Sequence, residues 1–158
     1  MGLHQVIFLQ CKHNINYWQA GDWIGIGPGA HGRFTKAADN YKNMQRFGTA
    51  TRRSPTGWLK SVQKNGHGIE TQTYDGADTF AAEMVMMGLR LTTGISVKKI
   101  ENMCGPRNRW LNDAAVMQAI ENGWLDTKQR NKSNMVTHLR ATDAGRLRLD
   151  NIIAMILR

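Results

Sequence analysis

Two blocks set close together constrain this chain more than anything else in it. They are His13-Asn14-Ile15-Asn16-Tyr17-Trp18 and, shortly after, Asp22-Trp23-Ile24-Gly25-Ile26-Gly27-Pro28-Gly29-Ala30-His31. The first sets a histidine beside two large aromatics. The second opens with an apolar run, Trp23 to Ile26, that suits a strand and ends in glycines. Gly27-Pro28-Gly29-Ala30-His31-Gly32 matches G-x-G-x-x-G, the pattern by which a dinucleotide-binding turn brings its backbone to a pyrophosphate. The surroundings do not follow through. No acidic residue stands ~20 residues on for a ribose, and no second strand–helix–strand unit follows. Arg33-Phe34 also occupies the place of the Lys-Ser/Thr of a phosphate-binding loop. On the residues alone, a tightly packed strand-end turn ranks first, and contact with an anion or cofactor second.

Along the chain, Val6 to Leu9 reads as a second short strand. Beyond Gly32 the pattern is open: Phe34, Ala37, Ala38 and Tyr41 would line one helical face, and Arg33–Lys36 and Lys42–Phe47 could equally be strands across a turn at Ala38-Asp39-Asn40. Ser54-Pro55 opens a helix with Trp58, Leu59 and Val62 on its apolar side, stopping at Asn65-Gly66. Asp75 or Asp78 starts the next, with Phe80, Met84, Met87 and Leu91 in one stripe and an end at Thr92-Thr93-Gly94. Short helices at Val97–Met103 and about Trp110–Asn122 follow, the second closed by Gly123. Trp124-Leu125 and Val136–Leu139 read as strands flanking the polar loop Lys128 to Asn134. Thr142 caps a last helix that buries Leu149, Ile152, Ile153 and Ile156. Three helices, a two-stranded wing and a final helix predict a winged-helix-like unit over roughly residues 76–158.

Candidate chemistry is sparse. An imidazole is a good iron ligand, and Tyr17 and Trp18 offer aromatic surface beside His13. For a histidine taken alone, a hydrogen-bonded loop residue is the stronger reading. His31 lies within the glycine stretch, whereas His4, His67 and His138 have no partner pattern and are expected at the surface. Cys11 with His13 forms only C-x-H, and Cys104 before Gly105-Pro106 is expected to be packed, so no zinc or other metal site is predicted. Met84, Met86, Met87 and Met103 at helical spacing are read as core.

The two blocks resemble the end of the radical-SAM barrel in oxygen-independent coproporphyrinogen III oxidase-like proteins, specifically the HemW-type haem chaperones. Further pieces fit the same family: Ser54-Pro55 with Trp58-Leu59, then Glu83-Met84 and Met87-Gly88-Leu89-Arg90-Leu91-Thr92-Thr93-Gly94-Ile95, then Leu139-x-x-Thr142-x-x-Gly145 with Asp150. The resemblance covers roughly residues 11–158. It departs in the first ten residues, which lack the family's E-x-S-N stretch. It departs again in lacking the C-x-x-x-C-x-x-C run, since Cys11 and Cys104 are the two cysteines. An excised domain or an altered reading frame with an unrelated start is the expectation this raises.

The resemblance implies an α+β fold: a β-rich remnant of a radical-SAM barrel over 1–50, then a helical winged-helix-like C-terminal domain over 51–158. It implies haem contact through His13, Asn14, Tyr17 and Trp18, and places Gly25, Gly27, Gly29 and Ala30 near a cofactor. Intact members bind a [4Fe-4S] cluster and S-adenosylmethionine and handle porphyrin or haem, as oxidase or as chaperone; the H-N-x-x-Y-W motif points to the chaperone. Two cysteines cannot supply three closely spaced thiolates, so this chain alone is expected to perform no radical chemistry and to carry neither cofactor. The partners expected are haem or porphyrin, the missing N-terminal barrel, and a second copy through the surface that barrel would cover.

The alternative is a winged-helix nucleic-acid-binding module, prompted by a formal charge of +9. The surplus is spread out: five Lys/Arg against two Asp/Glu in residues 1–48, sixteen against ten in 49–158. The clusters are small, at Arg52-Arg53, Arg107/Arg109, Lys128/Arg130/Lys132 and Arg140/Arg146/Arg148. The candidate recognition helix, Leu111 to Glu121, carries Asp113 and Glu121 and no Lys or Arg, so nucleic acid is not the expected partner. No apolar run approaches the ~18 residues of a membrane span. The start has no basic region or cleavage site of a secretory signal, and a reduced cytoplasmic setting is expected.

Overall fold

A computed structural model describes residues 12–36, 45–127 and 136–158, without the side chains of Lys12 and His13. The expected strand at Val6–Leu9, the turn at Ala38-Asp39-Asn40, His4, Cys11 and the loop Lys128–Asn134 lie outside the described residues. The histidine–aromatic block forms helix α1, Lys12–Trp18. The helix closes where Ala20 takes φ 55°, and the Gly21 amide donates to the Asn16 carbonyl at 2.8 Å. Trp23–Ile26 does not form the strand its apolar run predicts. It makes one antiparallel bridge, Trp23 to Arg33, because Gly27 (φ 102°), Pro28 and Gly29 (φ 69°) curl the backbone away at once.

An antiparallel sheet follows, β1 (His31–Lys36), β2 (Gln45–Thr51) and β3 (Ile69–Asp75), in that order. The first two answer the strand reading. β3 was not foreseen, because Ile-Glu-Thr-Gln-Thr-Tyr-Asp shows no alternation of apolar and polar residues and lies almost wholly at the surface. It is an edge strand held by β-branched and aromatic residues, with Tyr74 opposite Phe47 and Phe47 opposite Phe34. Phe34 and Phe47 stack with centroids 5.1 Å apart, and Phe47 meets Tyr74 edge-on at 4.8 Å. Helix α2, Pro55–Asn65, joins β2 to β3 as its signals predict. The Ser54 hydroxyl accepts from the Gly57 amide, and Gly66 closes the helix at φ 78°.

The remaining elements surround one apolar core. They are α3 (Ala77–Gly88), β4 (Ile95–Ser96), α4 (Val97–Cys104), a 3-10 turn at Arg107–Arg109, α5 (Asp113–Glu121), β5 (Leu125–Asp126), β6 (His138–Ala141), α6 (Asp143–Arg146) and α7 (Leu149–Ile156). The strands pair in the order β4-β6-β5, with Ile95 opposite Leu139 and Leu125 opposite Ala141. Phe80 and Met84 are buried as the stripe predicts, but α3 stops at Gly88, so Leu91 sits in the turn beyond. Trp110 and Leu111 do not begin α5. They are buried ahead of it, Leu111 bridging to Leu157, while Asn112 caps the helix. Thr142 caps as expected, yet the last helix divides in two after Arg146. Gly145 packs directly on the Trp124 carbonyl there, and a Cβ would lie 1.9 Å from that oxygen. Ile152, Ile153 and Ile156 are buried and Leu149 half-buried.

Leu139 is completely buried on the central strand of the second sheet. Leu139→Ala is expected to remove about 2–5 kcal/mol of stability, read as a lower urea midpoint with an unchanged slope.

Candidate functional site around the first helix and the glycine turn

The segment after α1 is anchored by a residue the sequence reading passed over. Arg46, on β2, is 0% exposed. Its Nε donates to Glu83 Oε2 at 3.1 Å, Nη1 to Thr35 Oγ1 at 3.0 Å and to Asp22 Oδ1 at 3.3 Å, and Nη2 to the Gly21 carbonyl at 3.3 Å. The guanidinium lies 4.5 Å from the centroid of the Phe80 ring and 5.7 Å from that of Trp23. Asp22 also accepts from the amide and hydroxyl of Thr35, both at 3.0 Å. One cation thus ties the turn after α1 to the first sheet and to α3. Lone arginines on short strands are commonplace, so only the partners, 24 and 37 residues away in sequence, mark this one.

The glycine turn is built by close packing. A Cβ on Gly25 would come within 2.3 Å of the His31 carbonyl oxygen, so only glycine lets the chain fold back on β1 there. Gly27 needs its freedom for the positive φ, and the space where its Cβ would point is open. The turn's donors are engaged internally. Gly29 N donates to the Arg52 carbonyl at 2.9 Å and Ala30 N to Thr51 Oγ1 at 2.9 Å, while Thr51 Oγ1 donates to the Gly27 carbonyl at 2.5 Å. Ile24 and Ile26, on the other side of this segment, are 82% and 86% exposed. His31 is exposed at the start of β1.

His13, Asn14, Tyr17 and Trp18 come together on α1. Asn14 is exposed and Tyr17 and Trp18 are half-buried; the His13 side chain lies outside the description. Tyr17 packs edge-on against Trp23 at 4.4 Å, joining the two sequence blocks directly. Trp18 borders a cleft toward α3, β4 and α4. His138, expected at the surface without a partner, is half-buried on that cleft, its Nε2 2.6 Å from the Thr93 carbonyl. His67 is exposed.

Cys104 is fully buried at the end of α4, and burial pushes its thiol up to about 12, with Asp78 adding to the shift and Arg46 opposing it. Among the described residues no three His, Cys, Asp or Glu side chains gather to hold a metal ion. The basic clusters are largely answered from within the fold. Arg107 pairs with Asp113, Arg109 with Asp78, Arg140 with Asp126, and Arg90 with Asp150. No helix among the described residues is long and apolar enough to cross a membrane.

Against known proteins, the chain is 31% identical over 149 residues to radical S-adenosyl methionine domain-containing protein 1, mitochondrial, of Danio rerio, which covers 92% of this chain and 32% of that protein. This chain is thus similar to part of a protein named for a radical S-adenosyl methionine domain. Heme chaperone HemW of Escherichia coli (strain K12) is 28% identical over 151 residues, spanning 94% of this chain and 34% of its own length. The chain therefore spans about a third of the curated relatives it matches. Among solved structures, the radical SAM enzyme coproporphyrinogen III oxidase (HemN) from Escherichia coli shares the fold over 85% of this chain and 28% of its own. The TM-score there is 0.55, at 15% identity. No family profile matches the chain.

Two expectations follow from this geometry. Arg46→Ala leaves Glu83 and the post-α1 turn without their shared cation, and is expected to cost about 2–3 kcal/mol, measured by urea unfolding. In a Cys11→Ser background, Cys104 should resist Ellman's reagent at pH 8 and react once the chain is unfolded. Because the folded thiol titrates above its ordinary value of 9.0, its contribution to stability is complete below that pH. It declines as pH rises from there toward about 12.

Proposed function

We propose that this chain is the C-terminal part of a coproporphyrinogen oxidase-like radical-SAM protein of the haem-chaperone type, retaining a haem-contacting helix. The observation that carries this reading is α1, which holds H-N-x-x-Y-W on one helix and is joined to the glycine block through Tyr17 and Trp23. His13 would supply an imidazole to haem iron, Tyr17 and Trp18 an aromatic wall, and Asn14 a polar contact at the exposed side. Haem here is cargo.

In this reading residues 1–50 are the end of the barrel and 51–158 the C-terminal domain, with β3 returning from the second to pair with β2 of the first. The exposed Ile24 and Ile26 are the face on which the rest of a barrel would pack, and a second copy of the chain is the other candidate to cover it. The helix–strand–helix–helix–hairpin order from α3 to β6 supports a winged-helix-like description of the C-terminal part. Gly25, Gly27, Gly29 and Ala30 would stand near the cofactor in an intact protein. The cluster itself does not fit the residues present, because Cys104 is a buried, neutral thiol in the core and Cys11 alone cannot replace three thiolates. No radical step is assigned to this chain. Two cysteines, one of them buried and free, are consistent with a reducing compartment such as the cytoplasm.

The nucleic-acid alternative finds little support, since α5 carries no Lys or Arg and four arginines of the C-terminal part face carboxylates.

The test is a haemin titration followed by absorbance, beside a His13→Ala variant. A Soret shift that saturates near one haem per chain and disappears in the variant is expected. The absence of a saturable shift, or an equal shift in both proteins, overturns the reading.

A further inference from the structure

The stretch Gly88-Leu89-Arg90-Leu91-Thr92-Thr93-Gly94-Ile95 is distinctive in sequence, yet nothing proposed for α1 uses it. In the fold it becomes one wall of the cleft beside Trp18. The cleft has a volume of about 310 Å³, at the lower end of the ~300–1,000 Å³ usual for small-molecule sites. Met84, Leu91, Ile95 and Ile100 make its apolar lining, with Trp18 on the side of α1. Two glycines keep the wall thin. A Cβ on Gly88 would meet Ile95 Cγ2 at 2.3 Å, and Gly94 sits at φ 75° directly against the Leu139 carbonyl.

The polar lining is one-sided. Lys99 and His138 border the cleft and no carboxylate does. Lys99 is exposed and, among the described residues, has no ion pair, whereas Arg90, Arg107, Arg109 and Arg140 of the same domain each face an Asp. A carbonyl oxygen can only accept, so His138 donates from Nε2 to Thr93. An apolar slot with an aromatic side, a lone ammonium at its rim and no opposing negative charge suits a flat apolar molecule bearing a carboxylate.

We infer that this cleft receives one carboxylate-bearing edge of a tetrapyrrole, with the ring against Trp18, Leu91 and Ile95 and the carboxylate on Lys99. This rests on the haem-contact reading of α1 and deepens it: α1 would hold the metal side of the cargo, and the α3–β4 turn its acidic edge. The identity of the central metal plays no part in the cleft's recognition, so a metal-free ring should be taken as well.

The experiment titrates the full chain with metal-free protoporphyrin IX, followed by quenching of tryptophan fluorescence. The variants are Lys99→Glu, Lys99→Arg and Thr93→Trp, each first checked by circular dichroism and its unfolding midpoint. Lys99→Glu should weaken binding about ten-fold or more, the size of effect lost with one charge-assisted contact. Lys99→Arg should stay close to the parent, and Thr93→Trp should weaken binding by filling the slot. The dimethyl ester of protoporphyrin IX should bind the parent chain more weakly and be indifferent to Lys99→Glu. Equal affinity of the parent and a folded Lys99→Glu protein for the free acid overturns the inference. If haemin still gives a shift that depends on His13, the haem-contact reading survives that failure. If neither haemin nor the metal-free ring binds, both fall. Lys99-dependent binding of the metal-free ring without a His13-dependent haemin shift upholds the cleft and overturns the iron contact.

Discussion

Arg46 carries a positive charge into a place closed to solvent, where a bare cation would cost several kcal/mol. What offsets that cost is a partner for each direction of the guanidinium: Glu83 on α3, Asp22 and the Gly21 carbonyl after α1, and Thr35 on β1, with the Phe80 ring beneath. These contacts come from three separate stretches of chain, α3, the turn after α1 and β1. Satisfying the arginine therefore fixes where α1 ends relative to the sheet and to α3. The turn that carries Asp22 leads directly into Trp23, which holds Tyr17, so the orientation of the histidine–aromatic helix depends on this one buried charge.

The same junction is continuous with the apolar core. Ala20 at the end of α1 belongs to the cluster that runs through Phe80, Val85 and Ile100 to Leu139 and Ile156. Cys104 is part of that cluster, which is why its thiol behaves as a small apolar group. The helix bearing the candidate haem residues is thereby fastened on one side by a charge network and on the other by burial. The opposite side of the glycine segment, with Ile24 and Ile26, is not covered by the described chain.

Electrostatics are organised locally. A formal charge of +9 suggests an extended basic surface, but the arginines of the C-terminal part are mostly matched to nearby carboxylates. What stands apart is a single lysine over an apolar cleft, a pattern suited to orienting one anionic group and not to following a polyanion.

Sequence determined the elements whose signals are local. Ser54-Pro55, Thr142, Gly66 and the glycines at 27 and 29 act through their own backbone conformation or a hydroxyl three residues away, and each appears where its chemistry puts it. The H-N-x-x-Y-W block and its neighbour were legible for the same reason, as short runs of unusual side chains. Tertiary structure decided what depends on partners distant in sequence. Polar β3 became a strand only because β2 offered it a ladder, Trp23–Ile26 failed to become one because the glycine turn took the backbone away, and the last helix broke where Gly145 met Trp124. The burial of Arg46 and the cleft between Trp18 and Lys99 exist only through such long-range contacts. A residue's environment is set by what the fold brings to it, and no local pattern encodes that.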